Sequence, residues 1–184
     1  MPDIETARLR LRPFRLGDAD AYYLAVMCDP EVRRYLPGGQ PLPREGAEPI
    51  LGRFQDHWDQ HGFGGWAVIH KADDRLIGQC GLQYVPGTTE IEVFYSLAKA
   101  FWGQGLAPEA AHAALRYGFE TLHLDRIVAM FMPGNHASER VMIKIGMTYQ
   151  GIKHAYETDL PFYAITRAEF QPGDAPYTLH NPSE

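Results

Sequence analysis

A short glycine-rich turn is the segment of this chain best suited to bind an anion. It comprises Trp102, Gly103, Gln104, Gly105, Leu106 and Ala107. Glycine has no Cβ, so its backbone can adopt positive φ values and approach a ligand closely. Pro108 follows, and proline fits the first turn of a helix, where its missing N–H costs nothing. Because free N–H groups at a helix N-terminus attract phosphate oxygens, the turn predicts a site for a phosphorylated cofactor.

Two better-known glycine motifs do not fit this turn. The dinucleotide fingerprint requires a third glycine where Pro108 stands, and its ribose-binding acid follows the second strand, whereas Asp125 precedes it. A phosphate-binding P-loop ends in lysine and a hydroxyl residue, and neither follows Gly105. A Rossmann domain and a P-loop NTPase are therefore excluded.

The strand before the turn carries candidate acid–base groups. Residues 90–97 alternate with period two, so one face holds Ile91, Val93 and Tyr95, and the opposite face holds Glu90, Glu92, Phe94 and Ser96. The first face is predicted to be core. The second would then present carboxylates, which are suited to accepting protons in a partly dry cleft.

The turn belongs to a βαβα unit that positions these groups. Its parts are a strand over 90–97, a helix over 108–122, a strand over 126–131 and a second helix. Further strands are predicted over 6–14, 66–70, 76–82, 147–156 and 161–170, and a helix over 44–60. Asp18 is predicted to cap a helix that ends at Asp29-Pro30. This order predicts a mixed α/β sheet with helices on both faces, in a single domain over 1–184 with a loosely packed tail over 171–184.

Composition narrows the class of protein. The chain has 184 residues, of which 45% are hydrophobic and 22% charged. No apolar run approaches the ~20 residues that span a membrane, so a cytoplasmic protein without a membrane partner is expected. A net charge of −6 argues against a nucleic-acid partner. Cys28 and Cys80 are too few for a disulfide framework, and His57 with His61 lacks the sequence of a zinc protease, so no metal is expected.

Several correctly spaced motifs resemble one known superfamily. The turn is similar to the Gln/Arg-x-x-Gly-x-Gly/Ala motif of the GNAT acyl-CoA-dependent N-acetyltransferases, which it matches at Gly105 and Ala107. Tryptophan, two glycines and an acidic residue at Trp102, Gly103, Gly105 and Glu109 resemble the RimJ/RimL-like branch, the ribosomal-protein N-terminal acetyltransferases and their relatives. Residues 92–97, 135–138 and 144–147 look like the Glu-Ile-Gly-Tyr-x-Leu, Asn-x-x-Ser and Lys-x-Gly-Phe motifs.

This resemblance implies a fold, a co-substrate and part of the binding site. The GNAT fold is a twisted mixed sheet of about seven strands with helices on both faces. Acetyl-CoA would be the co-substrate, without a metal, and the protein would be a monomer or a homodimer. In this superfamily the central strand parts from its parallel neighbour. Pantetheine would then bind the exposed backbone of Phe94, Tyr95, Ser96 and Leu97, and Asn135 and Ser138 would be further cofactor-binding residues.

The catalytic roles are carried over residue by residue. Glu92 matches the glutamate of the family and is predicted to accept the amine proton, with Glu90 as the alternative. Many members place a tyrosine proton donor where this chain has Met142, so Ser138 is the nearest hydroxyl for the departing thiolate. Phe94 stands where the Glu-Ile-Gly-Tyr-x-Leu motif of the family has its glycine. His136 and His154 are further candidate bases, although such histidines are more often surface residues. The candidate wall of the acceptor pocket comprises Tyr22, Tyr23, Phe63 and Trp66, although aromatics at such spacing are more often core.

The expected activity is the transfer of an acetyl group from acetyl-CoA directly to a primary amine. The RimJ/RimL-like resemblance favours the N-terminal α-amine of a protein. A small-molecule amine, such as a polyamine, an aminoglycoside or an amino-acid-like amine, is the alternative acceptor. A CoA-binding sensor without turnover is the alternative class, because Met142 and Phe94 depart from the family pattern.

Overall fold

The computed structural model describes residues 1–181; Pro182, part of the predicted tail, lies outside them. One sheet contains β1 (Asp3–Thr6), β2 (Leu9–Pro13), β3 (Gly65–His70), β4 (Arg75–Tyr84), β5 (Ile91–Leu97), β6 (Arg126–Met130), β7 (Thr148–Ala155), β8 (Thr158–Thr166) and β9 (Tyr177–His180). The α-helices are α1 (Ala19–Tyr22), α2 (Pro30–Arg33), α3 (Ala47–His61), α4 (Leu106–Glu120) and α5 (His136–Lys144). A π-helical segment, Tyr23–Met27, continues α1.

The sheet is antiparallel except at its centre. The strand order is β7-β8-β6-β5-β4-β3-β2-β1-β9, and β5 and β6 are the parallel neighbours. Their register contains a single pair, Glu92 with Val128, whereas β4 and β5 pair over seven positions. The two central strands therefore part just beyond Glu92, and one side of the β5 backbone lacks a strand partner there.

Helices cover both faces, as the sequence predicts. On one face of the sheet, α4 and α5 pack against apolar side chains that alternate along β5, namely Ile91, Val93 and Leu97. On the opposite face, α1, the π-helical segment and α3 pack against Phe14, Ala67 and Ile69. Glu92 lies on the β5 face away from α4, so the alternation along the strand places the carboxylate outside the larger core.

The first predicted strand is wrong in one respect, because it is divided into β1 and β2 by a corner. Thr6 Oγ1 accepts from the Leu9 N–H over 3.0 Å and lies 3.2 Å from the Leu9 carbonyl, while its single proton goes to Glu109 Oε1. These side-chain contacts hold the corner at which the chain reverses. The Asp18 carboxylate also differs from expectation: it makes no cap bond to α1 and instead binds the Arg12 guanidinium through two contacts of 2.7 and 2.8 Å.

The tail is more ordered than the sequence indicates. Tyr177–His180 pairs with β1 in antiparallel register over four residues, which makes the sheet nine-stranded within residues 1–181 rather than about seven. The edge of β1 offers unpaired backbone groups, and an added strand satisfies them. The Arg116 guanidinium lies 4.5 Å from the centre of the Tyr177 ring, which also holds the tail against α4.

Candidate active site

The glycine turn has the backbone that an anion site requires. Gly103 and Gly105 have φ values of 74° and 75°, in the left-handed region that glycine adopts without a steric penalty. Gly105 is the N-cap of α4, and the N–H groups of Leu106 and Ala107 precede the first helical hydrogen bonds. The turn therefore directs free N–H groups and the positive end of the helix dipole outward.

A residue outside the βαβα unit fastens this turn. Arg8, at the β1–β2 corner, donates from Nη1 to the Gln104 carbonyl over 2.8 Å and from Nε to Glu109 Oε2 over 2.7 Å. Thr6 Oγ1 and the Arg8 N–H donate to Glu109 Oε1. Burial opposes ionisation of Glu109, but these hydrogen bonds outweigh it and lower its pKa. Glu109 thus anchors the turn to the sheet edge.

The exposed indole of Trp102 folds back onto the end of β5. Trp102 is 44% exposed, and its Nε1 donates to the Leu97 carbonyl over 2.7 Å. That carbonyl is therefore occupied. Four β5 residues are predicted to bind pantetheine. Three of them, Phe94, Tyr95 and Ser96, lie between the Glu92–Val128 pair and Leu97, whose carbonyl is bonded to Trp102.

Glu92 is a buried carboxylate with one occupied oxygen. It is 5% exposed. Gln83 lies opposite it on β4 and donates from Nε2 to Glu92 Oε1 over 2.8 Å, and the Tyr156 hydroxyl donates to the same oxygen. Within residues 1–181, Oε2 accepts no hydrogen bond. Burial raises the pKa of Glu92, although the two hydrogen bonds to its ionised form oppose that rise.

The alternative bases are engaged elsewhere. Glu90 binds Arg126 Nη1 over 2.8 Å and also Lys153 Nζ, so both cations already pair with this carboxylate. His136 pairs with Glu139 over 3.2 Å, and His154 pairs with Asp159 over 2.8 Å. Both imidazoles are exposed. None of the three contacts Glu92. The structure therefore separates Glu92, which has a free oxygen, from the other candidates.

Ser138 meets a second hydroxyl on the opposite face of β5. The Tyr95 hydroxyl lies 2.9 Å from Ser138 Oγ and 3.2 Å from the Ser138 carbonyl. Burial raises the pKa of Tyr95, so the phenol stays protonated. Asn135 caps α5 by accepting from the Ser138 N–H over 3.2 Å, as the capping alternative anticipated. Met142 is 1% exposed in the core, where a thioether cannot donate a proton.

The predicted aromatic wall is largely core. Trp66 and Phe63 are buried, and Tyr22 is buried with its hydroxyl donating to Gln79 Oε1 over 2.6 Å. The aromatic on the Glu92 face is instead Phe94, whose ring stacks on Phe54 of α3 at 5.9 Å between centroids. The large side chain of Phe94 therefore packs against α3, a helix for which the sequence predicted no part in the site.

Three contributors to the site escape sequence reasoning: Arg8, Gln83 and Tyr156. Arg8 belongs to the alternating arginines of the first strands, which indicated only a half-exposed strand. Gln83 can be found from the register once β4 and β5 are known to pair. No sequence pattern predicts the contact of Tyr156 with Glu92. The two residues lie 64 positions apart, and the conformation of the turn that contains Tyr156 is not evident from the sequence.

Comparison with known protein families decides the identity of this arrangement. The family model described as an acetyltransferase (GNAT) domain matches residues 8–148. The chain belongs to the GNAT acetyltransferase family. This match includes β2, the parting strands β5 and β6, the glycine turn and α5. The acetyltransferase is therefore an acyltransferase enzyme, and GNAT domains use acetyl-CoA.

Individual relatives extend the match over nearly the whole chain. The ribosomal protein uS5 alanine N-acetyltransferase of Escherichia coli is 33% identical, over 94% of this acetyltransferase and 96% of the relative. The FsC-acetyl coenzyme A-N(2)-transacetylase of Aspergillus fumigatus is 31% identical, over 92% and 78%. A GNAT-family acetyltransferase structure from Bacillus anthracis aligns with a TM-score of 0.79 at 28% identity, covering 91% of this chain and 99% of that one.

Residues 1–181 of this acetyltransferase contain no group of three or more His, Cys, Asp or Glu side chains arranged to hold a metal ion. No helix in the same range is long and apolar enough to cross a bilayer.

Proposed function

We propose that this enzyme transfers the acetyl group of acetyl-CoA directly to a primary amine, with Glu92 as the proton acceptor. The observation that carries the proposal is the position of Glu92: it is buried, retains an unbonded Oε2, and lies at the last register pair before β5 and β6 part. Burial raises its pKa toward the range in which a carboxylate is an effective base.

The parting strands and the glycine turn would together bind the co-substrate. The N–H groups of the turn at Gly103 and Gly105 would bind the pyrophosphate of CoA. Pantetheine amides would pair with the β5 backbone at Phe94 to Ser96, which lacks a β6 partner. The thioester would then lie beside Glu92, and a β5 N–H would stabilise the oxyanion of the tetrahedral intermediate.

The reaction requires three proton movements. An ammonium cannot attack a thioester, so Oε2 of Glu92 accepts the first amine proton, directly or through water, and the free amine attacks the carbonyl carbon. The nitrogen of the tetrahedral intermediate then loses its second proton to water as the C–S bond breaks. The departing thiolate takes a proton from Ser138 Oγ, and water restores that proton through the Tyr95 hydroxyl, 2.9 Å from Ser138 Oγ. Cys80 is fully buried and its thiol pKa is raised, which disfavours an acyl-enzyme.

Charges beside Glu92 favour an acceptor with one amine. Glu90 is paired with both Arg126 and Lys153, so that cluster carries a net positive charge on the Glu92 side of the sheet. A polyamine or aminoglycoside would bring further cations toward these two groups, which disfavours it. The N-terminal α-amine of a peptide has no such cost, and the similarity to a ribosomal-protein alanine acetyltransferase supports it. A small-molecule amine is the alternative, supported by the similarity to an FsC-acetyl coenzyme A-N(2)-transacetylase.

Release of free thiol from acetyl-CoA tests the proposal. Peptides with a free N-terminal alanine or serine are compared with the same peptides blocked at the N-terminus, and with spermidine, an aminoglycoside and small monoamines. Thiol release that requires the free α-amine is expected. Release only with polyamines would contradict the proposed acceptor. Tight binding of acetyl-CoA without release for any amine would favour a CoA-binding sensor instead.

A further inference from the structure

The turn between β7 and β8 has an unfavourable backbone. Ala155 pairs with Thr158, so the loop contains only Tyr156 and Glu157, with φ values of 50° and 62°. Two-residue hairpin loops with positive φ at both positions strongly prefer Asn-Gly or Asp-Gly, because most side chains clash with the backbone in that region. Neither residue here is glycine, asparagine or aspartate. Strain of this kind concentrates at functional sites, where the surrounding structure maintains it.

The Tyr156 side chain gives a reason for keeping this turn. Its hydroxyl donates to Glu92 Oε1, while Gln83 Nε2 donates to that oxygen over 2.8 Å and to the Tyr156 hydroxyl oxygen over 3.1 Å. The three groups close a ring of hydrogen bonds around one oxygen of the carboxylate. Tyr156 is thus the contact through which the hairpin tip reaches the central strand.

We infer that Tyr156 is the positioning residue of the proton acceptor: its hydroxyl, aimed by the strained turn, fixes Glu92 by Oε1 and keeps Oε2 available to the amine. The inference rests on the proposed function, in which Glu92 takes the amine proton. It adds that the β7–β8 hairpin tip is part of the catalytic apparatus, although it lies outside the family-matched residues 8–148.

The surroundings of Glu92 make this role measurable. Gln83 faces it from β4, Tyr156 from the hairpin, and Val128 of β6 contributes only apolar surface. The charged neighbours Arg126 and Lys153 bind Glu90. The phenol is therefore one of two hydrogen-bond donors that stabilise the ionised carboxylate against burial. Its removal should raise the pKa of Glu92 further.

The test compares Tyr156→Phe with Tyr149→Phe. Phenylalanine keeps the ring and the fold but removes the hydroxyl, and Tyr149 is an exposed tyrosine on the same hairpin. In the profile of kcat/KM against pH, the acidic limb of Tyr156→Phe should move upward by about one unit or more, the loss expected for one hydrogen bond to a charged group. The deficit should shrink as pH rises. Tyr149→Phe should match the wild type.

An acidic limb that is identical in Tyr156→Phe and the wild type would overturn the inference, as would a deficit of equal size at every pH. A second readout does not depend on turnover. The carboxyl signal of Glu92 in 13C-labelled protein, assigned by its loss in Glu92→Gln, should titrate at higher pH in Tyr156→Phe. If the wild type acetylates no amine, the proposed function fails, but an upward NMR shift would still establish the hydrogen bond and an unchanged midpoint would refute it.

Discussion

The Tyr95 hydroxyl lies 2.9 Å from Ser138 Oγ, on the face of β5 opposite to Glu92. A proton donor and a proton acceptor would thus approach the thioester from two sides of the same strand. Replacing Ser138 by alanine should lower kcat by ~10² by removing proton delivery to the thiolate, whereas CoA affinity should hardly change. Tyr95→Phe should have a smaller effect of the same kind.

Stopped-flow measurement of thiol release, with CoA affinity from calorimetry, separates these outcomes. The control is Ala137→Ser, a change at the exposed residue that precedes Ser138 in α5. It should leave both kcat and CoA affinity unchanged. A Ser138→Ala enzyme with full kcat would remove Ser138 from the mechanism and leave water as the donor.

The glycine turn should control CoA affinity. Gly105→Glu places a side chain and a negative charge where the pyrophosphate is proposed to lie, so binding should weaken by at least an order of magnitude, ~10-fold or more. Gly87→Glu is the matched control, because Gly87 has a φ of +73° in an exposed turn with nothing within 4 Å of an added Cβ. Calorimetry should show normal CoA affinity for the control. Equal loss in both variants would indicate backbone strain rather than a phosphate site.

The two arginine–aspartate pairs beside β2 should differ in their contribution to stability. Asp18 is buried with Arg12, and although burial opposes ionisation, hydrogen bonds from Arg12 and the Arg15 N–H lower its pKa. Asp18→Asn should therefore cost about 3 kcal/mol in free energy of unfolding. Asp74→Asn breaks the exposed pair with Arg10 and should change nothing measurable.

The pH dependence of this effect follows from the lowered pKa of Asp18. A carboxylate with a depressed folded-state pKa stabilises the fold fully above the ordinary value of ~4, and this contribution disappears as pH falls through the folded-state value. Denaturant unfolding should thus show the wild type losing its advantage over Asp18→Asn only in acid. A constant difference down to the lowest pH would contradict the ion-pair explanation.

Glycine at position 157 should keep the turn conformation that aims Tyr156 and remove only its steric cost, so it should stabilise the protein without affecting catalysis. Glu157→Gly should raise the free energy of unfolding by roughly 0.5–1 kcal/mol, because glycine adopts a positive φ without a clash but costs more backbone entropy. Glu157→Gln keeps the Cβ and should leave stability unchanged. Thermal unfolding provides the comparison. Loss of activity in Glu157→Gly would contradict the expectation that the turn conformation alone, without the Glu157 side chain, aims Tyr156.

Local sequence patterns predicted the elements that carry the site. Alternation identified β5 and placed Glu92 away from Ile91 and Val93, and the glycines with Pro108 located the start of α4. These features depend on neighbouring residues. The assignment of the turn residues to CoA binding remains a prediction.

Long-range contacts account for what the sequence did not reveal. Arg8 meets Glu109 across 101 positions, and Tyr156 meets Glu92 across 64. Both depend on the complete strand order, which no periodicity encodes. The tail was expected to be loose because of its prolines and glycines, but its pairing depends on the open edge of β1 at the other end of the chain.

The stability of Glu92→Gln provides an internal check on any loss of activity. A carboxyl whose folded-state pKa is raised above its unfolded value destabilises the fold as pH rises through that interval, because the charged form is buried. Above it, Glu92→Gln should unfold at the same temperature as the wild type or higher. A variant that is inactive yet at least as stable cannot be explained by misfolding.

Turnover of Glu92→Gln across pH, compared with Glu90→Gln, tests the assignment of the proton acceptor most directly. Glutamine keeps size and hydrogen bonding but removes basicity, so kcat should fall by ~10²–10⁴ with CoA affinity nearly intact. Glu90→Gln changes a carboxylate on the same strand face that is already paired with Arg126 and Lys153, and it should retain most of its turnover. Wild-type turnover by Glu92→Gln at every pH would contradict the assignment.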